Sequence, residues 1–210
     1  AAPAPGAKPA PNALPAPAAV NPVPGVSITK TFWYSDRRVA LWVHSPAMGT
    51  DIQVQLLLAR DWNSNPTAKF PVLYMLDGLR AQDNENGWTI NTNAENFYKD
   101  KDVNVMLPVG GQSSFYTDWE KPDNGKHYMW ETFLMKELPP VLENQWRSTN
   151  VRGVEGLSMG GSSAMMLAGR NPGFFKFAAS FSGILQLSSF GMSQAVQFAN
   201  GLASVVAQTL

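Results

Sequence analysis

The chain has 210 residues, of which 44% are hydrophobic and 15% charged, and its formal net charge is zero. This is enough for one sizeable domain with its own core, and the absence of a basic cluster argues against nucleic acid as a partner. There is no cysteine, which excludes disulfide staples and thiolate metal sites, and no apolar run is long enough to span a bilayer.

Residues 1–26 hold half of the chain's 16 prolines and a single charged residue, Lys8. Proline removes backbone donors and favours extended backbone, so this tract is expected to be a solvated arm. It has no basic start followed by an apolar block and is not itself a signal peptide. It reads as what remains after one is cut, as a spacer, or as a plain disordered terminus. Residues 27–210 are expected to form the domain.

From Ser27 the pattern turns β-rich. Ile28–Tyr34, Val39–His44 and Ile52–Ala59 carry aromatic and β-branched residues with partial alternation, as suits antiparallel strands at one side of a sheet. Phe70–Leu76 is nearly continuously apolar, the signature of a strand covered on both faces. Val103–Val109, Val151–Val154 and Phe174–Phe181 read in the same way. Helices are expected near Ala94–Tyr98, from Trp130 toward Trp146 with an interruption at Pro139-Pro140, and after Ser158. Strand alternating with helix predicts a mostly parallel, doubly wound α/β sheet.

Gly156-Leu157-Ser158-Met159-Gly160 is the most informative stretch. It is a Gly-x-Ser-x-Gly pentapeptide between a strand-like run, Asn150–Glu155, and a helix-like run, Gly161–Ala168. A serine on a tight strand-to-helix bend is strained and thrust outward, where an ester can reach it. The bland alternative is a serine in an ordinary glycine-rich turn. Asp77-Gly78-Leu79-Arg80 follows the buried strand at its carboxyl end, where ligands gather in open α/β sheets. The N–H of Leu79 is a candidate oxyanion donor beside that of Met159, although Asp-Gly alone is also a common turn. Gly110–Tyr116 either lines the pocket or is a loop that glycine permits. Trp88, Trp119 and Trp130 lie in or near these loops and could stack on sugars or simply pack.

A serine hydroxyl needs a base, normally a histidine oriented by a carboxylate, and in this fold both follow the serine in the chain. No Asp, Glu or His occurs after Ser158. His44, on an early strand, and His127, in the polar loop Asp123–His127, are expected to be structural or solvated. After Lys176 the sequence has no charge. Ser193 could cap a helix carrying Val196, Ala199, Leu202, Ala203, Val206 and Leu210 at helical spacing. This uncharged end is expected to be covered by further chain or a partner, so a missing C-terminal part is favoured over a docked terminal helix.

Leu76–Asp83, Asn86-Gly87-Trp88, Pro108–Tyr116, Trp130–Leu134, Gly156–Met159 and Gly161–Met165 resemble, in order and in register, the antigen 85 type mycolyltransferases of mycolic-acid bacteria. The resemblance runs from about Ser27 to about Gly191. It implies an exported α/β-hydrolase-fold enzyme of the cell envelope that transfers mycolyl groups between trehalose mycolates and to arabinogalactan. It implies no cofactor and no metal. Ser158 would be the nucleophile, Leu79 and Met159 the oxyanion donors, and Asp77 and Arg80 part of the trehalose site. The family's Glu and His would lie beyond the reach of this chain. Two departures stand out. The loop Pro122–Tyr128 lacks the cysteine pair of mycobacterial members, and Gln186 stands where an Asp near the sugar is frequent. A neutral amide cannot match a carboxylate's hydrogen-bond strength. Two other readings are a general serine esterase of the same fold and a non-catalytic wall protein binding sugar or host matrix.

Overall fold

The computed structural model describes residues 21–122, 125 and 127–181. Most of the Pro-rich arm, Gln186 and the helix expected from Ser193 lie outside the described residues. Among the described residues seven strands form one sheet: β1 (Ser27–Ser35), β2 (Arg38–Ser45), β3 (Thr50–Leu57), β4 (Phe70–Leu76), β5 (Asn104–Pro108), β6 (Ser148–Leu157) and β7 (Phe177–Phe181). Their spatial order is β1-β2-β3-β5-β4-β6-β7. Pairing is antiparallel from β1 through β3 to β5 and parallel from β5 through β4 and β6 to β7. This is the expected α/β-hydrolase arrangement, with antiparallel strands at the N-terminal side. The chain runs from β4 out to β5 and returns to place β6 on β4's other flank, so the strand order reverses at β4. A crevice forms at the carboxyl ends beside such a reversal.

The apolar run of β4 is explained by burial on both faces. Val72, Tyr74 and Leu76 pack with Val154, Trp130, Phe133, Leu134, Leu138 and Leu167 on one side. On the other, Leu73 and Met75 pack with Val105, Leu107, Trp88, Ala94 and Tyr98. The first face is covered by α3 (Trp130–Thr132), α4 (Leu138–Gln145) and α5 (Met159–Arg170), the second by α1 (Gly87–Asn91) and α2 (Ala94–Tyr98).

Four expectations need correction. Pro139-Pro140 does not interrupt the helix beginning at Trp130: a π-turn, Phe133–Glu137, joins α3 directly to α4, and the prolines occupy α4's first turn, where the N–H groups they lack need not be α-bonded. Helix α1, unforeseen, is started by Asn86, whose side chain accepts from Trp88 N–H. Phe174 and Phe175 are not in β7. Their rings close edge-on over Tyr74, at centroid distances of 6.4 and 5.4 Å. The third strand stops at Leu57, because Leu58 N–H turns to Arg37 O and Ala59 N–H to Asn104 Oδ1.

Two glycines fix how α5 leaves β6. A Cβ on Gly156 would lie 2.1 Å from the carbonyl carbon of Gly160, and one on Gly160 would lie 2.4 Å from the carbonyl oxygen of Asp77. Backbone therefore rests directly on backbone from β6 to α5 to the end of β4. Gly160→Ala is expected to lose about 3 kcal/mol or more in urea unfolding, since rigid main chain must move. Gly169→Ala, on the same helix with nothing within 4 Å of its added methyl, should gain about 0.5–1 kcal/mol. Equal effects at the two positions would show that the close approach is not real.

Candidate active site

Ser158 sits between the last residue of β6 and the first of α5, at φ +50° and ψ −111°. Side chains rarely adopt this backbone region, and holding a residue there costs about 1–3 kcal/mol. The strain is imposed from both sides. Gly156 packs on Gly160, and Gly160 packs on the end of β4, so a bend of this tightness is the only path left to the chain. The side chain of Ser158 is exposed, while Met159 is buried beneath it. Met159 N–H is the first donor of a 12-residue helix, one of the groups a helix leaves without an internal acceptor and at its positive end.

The Asp77–Arg80 loop faces this bend. Asp77 is buried; its Oδ1 accepts from Gly78 N–H at 2.7 Å and its Oδ2 from Gly87 N–H at 2.8 Å. Burial pushes the Asp77 carboxyl above its ordinary range, and those two N–H groups pull it back. The side chains of Leu79 and Arg80 are exposed. Leu79 is anchored through its carbonyl, which accepts from Ser113 N–H at 3.0 Å. Asp77, Gly78, Leu79, Arg80, Ile90 and Ser158 are among the residues around a cavity of about 490 Å³. The structure therefore brings together Ser158, Leu79, Asp77 and Arg80, with Met159 adjoining. An exposed hydroxyl at a helix N-terminus and a guanidinium at one cavity are groups that acyl transfer can use.

Residues given no individual role from the sequence complete this site. Tyr116, fully buried, accepts from Asp77 N–H through its hydroxyl at 2.9 Å. Asn86 donates to both Met75 O and Pro108 O, at 3.3 and 2.8 Å, tying the ends of β4 and β5. Ser163 Oγ lies 2.6 Å from Phe115 O and 2.9 Å from Met159 O, clasping the loop after β5 to α5. That loop is itself strained, with positive φ at Ser113, Phe115 and Tyr116. The Asn-Gly-Trp and Ser-Ser-Phe-Tyr runs were visible in the sequence, but only the fold reveals which backbone groups they meet.

Gly110–Tyr116 thus acts as a buttress, and Gly110 and Gly111 are absent from the cavity wall. The tryptophans pack. Trp88 donates to Leu76 O at 2.9 Å, Trp130 stands edge-on to Tyr116 at 5.3 Å, and Trp119 stands edge-on to Tyr128 at 4.7 Å. His44 is bonded to Asp51 at 2.8 Å on β2. That strand is four places from β6 in the sheet, roughly 19 Å away at the usual strand spacing. His127 is bonded to Trp119 O at 2.7 Å. Neither histidine is joined to Ser158.

The fold and the Gly-x-Ser-x-Gly bend define an α/β hydrolase. The chain belongs to the Esterase family, whose model matches residues 45–207, and within it the chain is of the antigen 85 type. It is 48% identical over 155 residues to the Mycobacterium leprae protein named diacylglycerol acyltransferase/mycolyltransferase Ag85A, covering 71% of this chain and 44% of that one. It is 46% identical over 153 residues to Ag85B of Mycolicibacterium smegmatis, covering 70% and 45%. The chain therefore spans less than half the length of these curated relatives. Among solved structures, Mycobacterium tuberculosis MPT51 aligns at 35% identity and TM-score 0.58 over 74% of this chain and 54% of that one. An S-formylglutathione hydrolase from Agrobacterium tumefaciens shares the fold at TM-score 0.61 and 18% identity, over 81% and 67%.

Strain at Ser158 has a measurable sign. Ser158→Gly is expected to stabilise the chain by about 1 kcal/mol in urea unfolding, because glycine accepts this backbone region. Ser158→Ala keeps the Cβ and should stay within about 0.5 kcal/mol of the parent. If both variants match the parent, the bend stores no strain.

Proposed function

We propose that the protein to which this chain belongs is a serine acyltransferase of the cell envelope, exported to act there, which moves mycolyl groups between trehalose mycolates and to arabinogalactan. The observation that carries this reading is the strained bend at Ser158 opening onto the cavity that Asp77, Leu79 and Arg80 line. The names of the relatives support the acyl group and the reaction type.

Ser158 Oγ attacks the ester carbonyl of a mycolate, losing its proton to a base as the new C–O bond forms. The carbonyl oxygen gains negative charge and is held by the N–H groups of Leu79 and Met159. Donors fixed before the reaction need not reorganise while that charge grows. Collapse of the tetrahedral intermediate expels the first sugar's alkoxide, which takes up the proton, and leaves the acyl group on Ser158. A hydroxyl of the second sugar then attacks and the steps run in reverse. Arg80, exposed at the rim, is suited to hydrogen bonding with sugar oxygens, and Asp77 sets the loop that presents it. Gln186 is proposed as a further sugar contact. Transfer prevails over hydrolysis only if the bound sugar is better placed than water.

His44 and His127 are engaged elsewhere, so among the described residues no imidazole serves Ser158 as a base. The chain alone should hydrolyse a short p-nitrophenyl ester no more than roughly a thousandfold faster than water, the residue of catalysis left when the base is gone. Turnover at a rate normal for a serine enzyme would overturn this. A general esterase reading is favoured by the family match and by the solvent exposure of Ser158. Product analysis of the full-length protein with trehalose present separates the two: trehalose ester should dominate for the transferase, and free acid for the esterase.

A further inference from the structure

Glu155 lies three residues before Ser158, yet the mechanism does not use it. It is 1% exposed in the middle of the sheet. Glu155 pairs in register with Met75 of β4 and Ala179 of β7. Its β6 neighbour on the same face, two residues on, is Leu157, a cavity-lining residue. One carboxyl oxygen, Oε1, receives the Tyr98 hydroxyl at 3.2 Å. The other, Oε2, is buried with no hydrogen-bond partner.

The elements packed on this face are apolar. Met75 and Leu73 belong to β4, Phe177 and Ala179 to β7, Trp88 to α1 and Tyr98 to α2. Tyr98 is the titratable group that faces Glu155, and no charged group among the described residues acts on it. A carboxylate with one neutral donor and no cation is poorly solvated here, so the protonated form is favoured.

Tyr98 ends α2, and α2 is tied to α1. Thr92 Oγ1 donates to Trp88 O and accepts from Ala94 N–H at 3.1 Å. Helix α1 in turn supplies Gly87, Ile90 and Asn91 to the cavity. A hydrogen bond at Glu155 therefore fastens one wall of the cavity to the strand that carries Ser158.

We infer that Glu155 and Tyr98 form a latch holding the α1–α2 wall on the sheet, and that the wall seals fully only over a neutral Glu155, because ionisation buries a charge whose Oε2 has no partner. Glu155 is a positioning residue. It touches neither substrate nor Ser158 Oγ, and acts through Tyr98 on Gly87, Ile90 and Asn91. Its consequence for acceptor binding rests on the acyl-transfer reading; the latch itself does not.

The sign follows from burial, which pushes the Glu155 carboxyl up to about 7 from an ordinary 4.5. The closed wall binds the proton more tightly than the open one, so closure is fully favoured below pH 4.5. It weakens as the pH rises from 4.5 to 7 and is constant above. Hydrogen exchange of the 210-residue chain, corrected for the intrinsic pH dependence, tests this. Opening of residues 87–98 should increase roughly 30-fold between pH 5.5 and 8.5, while Phe70–Leu76 changes little. Glu155→Gln, which preserves an acceptor for Tyr98 and never ionises, should abolish that increase. Tyr98→Phe removes the one donor to the carboxylate, so its increase should be larger and level off at a higher pH.

A pH response in Glu155→Gln equal to the parent's overturns the latch, as does a parent with no response in 87–98. So does a Tyr98→Phe profile identical to the parent's. Failure of the acyl-transfer reading would appear separately, as an absence of trehalose ester from the full-length protein with the exchange result intact.

Discussion

Everything at the candidate site hangs on one contact, the backbone of Gly156 against the backbone of Gly160. A Cβ at either position would drive into main-chain atoms, so α5 can rest this closely on β6 only if residue 156 is glycine, and on the end of β4 only if residue 160 is. That approach forces the intervening Ser158 to φ +50°. It also lays the first turn of α5 on the carbonyl end of β4, from which the Asp77–Arg80 loop departs. Hydroxyl and loop are thus positioned by one packing event.

The supports around that contact are of a different kind. Tyr116, Asn86 and Ser163 each spend a side-chain polar group on backbone from another element. Such bonds add about 1 kcal/mol each when made and cost more when left unmade in the interior. They stabilise the loops after β4 and β5 without touching solvent. Asp77 belongs partly to this group. Both its oxygens are occupied by Gly78 and Gly87, so its first role is to shape the loop that carries Leu79 and Arg80.

Much of this was legible in the residues. Seven strands were recoverable because β-branched and apolar runs have clear edges; Phe70–Leu76 matched to the residue. The elbow was legible because Gly-x-Ser-x-Gly between a strand and a helix has few other solutions. What escaped was set by tertiary packing. A five-residue helix such as α1 has too few turns to show a period, and the π-turn before Pro139 leaves no mark in composition. Phe174 and Phe175 read as strand because aromatic residues favour both sheet and core, and only the position of Tyr74 decides between them. Both histidines were expected to be structural or solvated, and their bonds to Asp51 and Trp119 O agree.

The strained bend raises the Ser158 hydroxyl to the cavity that the Asp77–Arg80 loop lines. Treatment of the folded full-length protein with an alkyl fluorophosphonate, followed by peptide mapping, is the decisive measurement. One phosphonyl adduct, on Ser158 and lost on unfolding the chain before treatment, is the result the account predicts. No adduct, or label spread equally over Ser158 and the exposed Ser113 and Ser162, would contradict it.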